Sequence, residues 1–144
     1  MRDPATRALV AEAVARGVAV RSMSRGDAAV RARLRLTALH PSRTDRGRSV
    51  NDRCLVLHAA TPSGASILLP GDLEAGGEAA LLDASAEPRA DALVAAHHGA
   101  NGSSTSGFLA RVAPELVLVS AGSHNRFGHP GPSALARFAA ASAR

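Results

Sequence analysis

Residues 97 to 99, His-His-Gly, follow the apolar run Leu93-Val94-Ala95-Ala96 that begins after Asp91. The run reads as a buried strand that delivers two imidazoles to a loop at its C-terminal end. Upstream, Ile67-Leu68-Leu69-Pro70 leads into Gly71-Asp72-Leu73, so a second strand ends on a carboxylate. Downstream, Val117-Leu118-Val119 opens into Ser123-His124-Asn125-Arg126-Phe127-Gly128-His129-Pro130. Three strand ends thus bring one Asp and four His to what reads as a single rim. Imidazole and carboxylate are the usual ligands of zinc or manganese, and the chemistry this suggests is metal-dependent hydrolysis.

Asp72, directly after Gly71, is a candidate ligand, since a carboxylate can bridge two ions and help activate water. His97 and His98 cannot both point the same way from an extended backbone. One is expected to bind the ion and the other to support it or face substrate, and His98, followed by Gly99, is the favoured ligand. His129, between a flexible Gly128 and a rigid Pro130, can protonate a leaving oxygen or simply belong to a loop. His40, before Pro41, is a further candidate ligand. Ser103 to Ser106 read equally well as phosphate donors at a helix start or as a helix cap. His58 lies inside a strand-like run, where packing explains it, and Cys54 reads as a buried thiol rather than a nucleophile.

The elements that must position these groups follow from the pattern. Pro4 to Arg16 reads as a helix ended by Gly17, with a short strand over 18–21. Val30, Ala32, Leu34, Leu36 and Ala38 alternate with Arg31, Arg33, Arg35 and Thr37, which predicts one half-exposed strand with a basic face. A polar loop spans Pro41 to Asn51. Cys54 to Ala59 and Ala65 to Leu69 form a hairpin across Thr61-Pro62-Ser63-Gly64. Then come a helix over 74–84, a strand over 90–96, a helix over 106–112, a strand over 116–120 and a helix opened by Pro132. An antiparallel hairpin followed by strand-helix alternation predicts a mixed sheet with helices on one face.

The chain has 144 residues, about one domain's worth, and 46% of them are hydrophobic, enough for a core. Its net charge of +5 is carried by arginine alone, with no lysine, which tolerates a polyanionic partner. Only three aromatics are present (Phe108, Phe127, Phe138), which argues against a base-stacking platform and for phosphate contacts. One cysteine permits no internal disulfide. No run approaches the roughly 18–20 apolar residues of a membrane span, and no signal peptide is visible, so the chain as written is expected to be soluble.

Together, 51–57 (Asn-Asp-Arg-Cys-Leu-Val-Leu), Gly71-Asp72-Leu73, Asp91 through His97-His98-Gly99, and Asn125-Arg126-Phe127-Gly128-His129-Pro130 resemble the C-terminal metallo-β-lactamase-type domain of the ComEC competence proteins, membrane channels of DNA uptake. The resemblance is clearest from His40 onward. It implies an α/β fold, a four-layer αββα sandwich with a two-ion zinc or manganese site at one edge. It implies that Asp72 stands for the bridging aspartate, that the His97-His98 pair supplies the late histidine ligand, and that His40 stands at a variable middle position. His129 would act like a general acid and Asn125 would shape its loop. The implied function is hydrolysis of phosphodiesters in the DNA strand that is not imported, by a domain attached to a plasma-membrane protein.

The departure is large. The superfamily's first metal motif, H-x-[HD]-x-D-H, has no counterpart, because the first histidine is His40 and Asp3 and Asp27 stand alone. Residues 1–144 are therefore expected to be a partial domain, mainly the C-terminal half, cut from a longer reading frame. Such a chain offers three ligands at best and is expected to be weak or inactive alone, since a water-activating ion needs about three protein ligands. The alternative is an inactive remnant that binds single-stranded DNA or a partner through its arginines. A hydrolase of small esters or lactams is a third reading, and it gives the arginines no purpose.

Overall fold

The computed structural model describes residues 4–45, 48–84 and 87–141. A helix, α1 (Pro4–Ala15), precedes a hairpin of β1 (Ala28–Arg31) and β2 (Leu34–His40). A second hairpin, β3 (Val56–Ala60) and β4 (Ser66–Leu69), leads to α2 (Ala75–Asp83). Then β5 (Ala92–Val94), α3 (Ser106–Val112), β6 (Leu116–Leu118) and α4 (Pro132–Ala140) alternate. The six strands form one mixed sheet in sequence order, antiparallel through β4 and parallel from β4 to β6. The expected mixed sheet of an α/β chain is what forms.

Register explains how the sheet is covered. Thr37, His58, Leu68, Leu93 and Val117 are successive neighbours across it on one face. On that side Leu68 and Leu93 are buried with Leu73 and Leu81, with Phe108, Leu109 and Val112, and with Ala134 and Phe138. The helices α2, α3 and α4 therefore pack on this face. The opposite face carries Leu36, Leu57, Ile67 and Leu69 half-buried and leaves Leu116 and Leu118 exposed. No residue of α1 is buried.

Two local expectations are corrected. Residues 30–38 do not form one strand: Ala32, in the left-handed region at φ 50°, turns the chain back so that Arg31 pairs with Leu34 and Val30 with Arg35. The turn interrupts the alternation, so Arg31 and Arg35 lie on opposite faces and no single basic row exists. The segment 18–21 is not a strand, because it finds no ladder partner. The hairpin across Thr61 to Gly64 forms as its residues suggest, with Thr61 N–H bonded to the Ala65 carbonyl at 2.9 Å and Gly64 at φ 95°.

Candidate metal and phosphodiester site

Strand termini on one edge of the sheet carry the candidate residues. After β4, Gly71 takes φ 61° and turns Asp72 off the strand, and its carbonyl accepts the His97 N–H at 2.9 Å. This bond ties the Asp72 loop to the imidazole loop. After β5 the backbone is not extended, as the sequence suggested, but left-handed at both His97 (φ 50°) and His98 (φ 58°). Histidine enters that region more readily than most residues, yet two in succession store strain that the surrounding contacts must hold.

The left-handed pair splits the two rings between two carboxylates. His98 Nε2 lies 3.5 Å from Asp72 Oδ1, and His97 Nδ1 lies 3.5 Å from Glu74 Oε1. His98 Nδ1 is 2.8 Å from the carbonyl of Ser120, two residues beyond β6. A carbonyl only accepts, so Nδ1 carries a hydrogen, and in the neutral ring the Nε2 lone pair faces Asp72. This is how metal-binding imidazoles are oriented in general. Glu74 Oε1 also accepts from Asn51 Nδ2 at 3.0 Å, which holds the carboxylate beside His97.

His129 closes the other side. Its ring centre is 5.9 Å from that of His97 and 5.8 Å from Phe127, the latter pair nearly parallel at 17°. Asn125 folds this loop onto itself: its Oδ1 accepts the His129 N–H at 2.9 Å, while Nδ2 donates to the His129 and Gly122 carbonyls at 2.7 and 2.8 Å. The Asn125 amide is thus committed to backbone and acts by placing His129. His98, Asn125, Phe127 and His129, with the segment 119–122, line a cleft of about 630 Å³. Asp72 pairs with His98, and His98 lines the same cleft as His129, while Asp72 is not part of its wall.

His40 is not brought to that group. It is fully buried, its Nε2–H donates to the Asp52 carbonyl at 2.7 Å, and its Nδ1 lies 3.6 Å from Asp45 Oδ2. Among the described residues, no three His, Cys, Asp or Glu side chains converge as a metal-holding group. Asp72 and His98 fit two positions of a divalent ion's shell, and a zinc site needs about three or four ligands.

The segment after Gly99 is held from beneath. Glu78 of α2 is fully buried and accepts from the backbone N–H of Ser104 and from Thr105 through both N–H (2.8 Å) and Oγ1 (2.6 Å). Burial pushes its carboxyl above the usual carboxylate range, against the opposing pull of the Thr105 and Ser104 donors and of Arg137. Arg137 of α4 donates to the carbonyls of Ser104, Asn101 and Ser103 at 2.7–2.8 Å. Thr105 caps α3 by accepting from Phe108 N–H. The cap reading of Ser103 to Ser106 therefore holds at Thr105, while Ser103 and Ser104 are buried, and the Ser104 hydroxyl accepts from Ala96 N–H. Residue types and spacing pointed to neither Glu74 nor Glu78 nor the Ser120 carbonyl. Glu74, two residues past Asp72, was the one within reach of a motif.

The fold and rim define a mixed α/β domain with paired imidazole and carboxylate groups at one sheet edge. No family model matches the chain. It is similar to "ComE operon protein 3" of Bacillus subtilis (strain 168), 34% identical over 128 residues that cover 89% of this chain and 16% of that protein. It is also similar to "Competence protein ComA" of Neisseria gonorrhoeae, 37% identical over 81 residues, 56% of this chain and 12% of that protein. The second relative is named for competence, and the chain spans only a small part of either. No helix among the described residues is long and apolar enough to cross a membrane.

Proposed function

We propose that this chain is part of a competence DNA-uptake protein and contributes the late half of a metal-dependent phosphodiester hydrolase site. The observation that carries the reading is the Asp72–His98 approach at 3.5 Å, with the His98 Nε2 edge turned toward the carboxylate by the Nδ1 bond to Ser120. Asp72 and His98 would hold a zinc or manganese ion. When bound, such an ion polarises a phosphoryl oxygen and lowers the pKa of water. His129, whose loop Asn125 braces over the same cleft, would deliver a proton to the leaving oxygen. His97, turned to Glu74, supports the rim rather than the ion. The remaining ion ligands would be supplied by a longer protein such as the relatives of which this chain spans 16% and 12%.

A metallo-β-lactamase-like αββα arrangement accounts for the half-exposed aliphatic face of the sheet. A second sheet layer laid over Leu57, Leu69, Leu116 and Leu118 would remove that apolar surface from water. The substrate is single-stranded DNA, the strand that is not imported, gripped through its phosphates.

One observation favours a second reading. The absence of a three-donor group among the described residues suits a chain that binds nucleic acid through arginine without cleaving it. Metal analysis and strand cleavage separate the two. The purified chain is dialysed against Mn²⁺ or Zn²⁺ and assayed on a labelled single strand, alone and joined to the sequence that precedes it in its reading frame. The hydrolase reading expects metal content that falls in Asp72→Ala and His98→Ala, and cleavage in the longer form. Salt-sensitive DNA binding indifferent to both ions, with no cleavage by either form, would establish the binding module instead.

A further inference from the structure

Phe127 is 66% exposed, and the core of the domain does not use it. Scattered exposed apolar residues need no explanation, but this ring forms part of the wall of the cleft that holds His98 and His129. Its orientation is built rather than accidental. It lies nearly parallel to the His129 ring at 5.8 Å, and the Arg126 guanidinium carbon sits 4.8 Å from its centre. Gly128, in the left-handed region at φ 66°, lets the chain turn between Phe127 and His129, and the Asn125 bonds fix the turn.

An exposed aromatic ring with a guanidinium lying over it is a surface on which unpaired bases stack, on the guanidinium plane or on the open part of the ring, whatever their sequence. The cleft, at about 630 Å³, falls in the range of pockets that take a small molecule, so it has room for a nucleotide unit. The paucity of aromatics counts against an extended stacking surface, but one ring at the reacting position suffices for one base.

We propose that Phe127, with Arg126, stacks a single unpaired nucleobase and thereby seats the adjoining phosphate between His98 and His129. This rests on the reading of the cleft as a single-strand DNA phosphodiester site and adds to its phosphate contacts a base contact that discriminates unpaired from paired strands. A base inside a duplex has both faces covered by its neighbours and offers none to the ring. Because every base has a π-face, the preference carries little sequence information.

The experiment measures fluorescence anisotropy of the whole chain, without metal, on three ligands: a short oligodeoxythymidylate, an abasic strand of equal length and charge, and a duplex. The thymidylate is expected to bind about tenfold tighter than the abasic strand, and Phe127→Ala to erase that difference while leaving the abasic strand unchanged. Phe127→Trp restores it. Arg126→Ala weakens all three ligands and reduces the salt slope. Equal binding of base-bearing and abasic strands, an equal loss on both in Phe127→Ala, or no binding of any strand overturns the proposal. Calorimetric Mn²⁺ binding, run in parallel, tells the two failures apart. Retained metal binding without base discrimination overturns stacking alone, and base discrimination without metal binding overturns the metal site alone.

Discussion

Gly99 and Pro130 are packed so closely that a methyl group on Gly99 would lie 2.8 Å from the Pro130 Cβ. The same glycine sits at φ 80°, and its carbonyl accepts the Gly131 N–H at 2.8 Å. The imidazole loop after β5 and the His129 loop before α4 are thus pressed together at one residue. Gly99→Ala is expected to cost about 1–3 kcal/mol, because it meets both a steric limit and a disfavoured backbone region. Urea unfolding reads the loss as a lower midpoint with an unchanged slope. A midpoint equal to that of the parent chain would mean the two loops are not held at this contact.

The assignment of Asp72 and His98 as ion donors separates four substitutions. On the proposed assignment, Asp72→Ala and His98→Ala should each weaken Mn²⁺ or Zn²⁺ binding by tenfold or more, since each would remove a coordinating atom. His97→Ala, whose ring faces Glu74 at 3.5 Å, and His129→Ala should leave metal affinity within a factor of about three. Isothermal titration calorimetry provides the test. If His97→Ala lost the metal and His98→Ala kept it, the roles of the pair would be reversed.

Glu78 makes stability depend on pH with a sign that can be stated in advance. Its folded carboxyl titrates above the usual 4.5 because it is buried, so between those two values the native chain binds the extra proton. The Glu78 contribution is then fully present below about pH 4.5 and is lost as pH rises through the folded value. Glu78→Gln cannot titrate, and its amide would oppose one of the three donors from Ser104 and Thr105, at a cost of about 1–3 kcal/mol. Urea titrations across the acid range should show the margin of the parent chain over Glu78→Gln shrinking as pH rises. A margin that does not change with pH contradicts the buried titration.

Asp91 works in the opposite direction. The Ser66 hydroxyl and backbone N–H donate to its Oδ2 at 2.9 and 2.7 Å and hold its carboxyl below the usual 3.8. Its contribution is therefore present above the unfolded value of 3.8 and lost as pH falls through the folded one. Ser66→Ala removes the hydroxyl donor that pins β4 to the start of β5. Its acid limb should be shallower than that of the parent chain below pH 4, read by circular dichroism as a function of pH. Identical acid limbs would show that the hydroxyl bond contributes nothing to the acid dependence.

Much of the framework was legible because it is local. The alternation and apolar runs around Leu57, Leu68 and Leu93, the Thr-Pro-Ser-Gly turn, and Pro132 at a helix start each act within a few residues of themselves. The positions of Asp72, His97-His98 and His129 at segment ends were legible for the same reason. The 28–40 hairpin was not, because a single left-handed Ala32 reverses the chain while leaving the alternating pattern intact on paper. Glu78 was not either, since a glutamate in a helix reads as solvated until donors 26 and 27 residues away bury it.

By itself, the sequence determined which side chains are available for chemistry and that short strands end near them, because periodicity and turn chemistry are properties of neighbouring residues. Only the tertiary structure decided their partners. The Ser120 carbonyl just beyond β6 holds a hydrogen on His98 Nδ1, and two successive left-handed residues send His97 to Glu74 and His98 to Asp72. His40, equal to them as a residue type, is removed from the cluster by burial against Asp52. Ligand direction depends on backbone torsions and on hydrogen bonds made across the sheet, and a linear pattern holds neither.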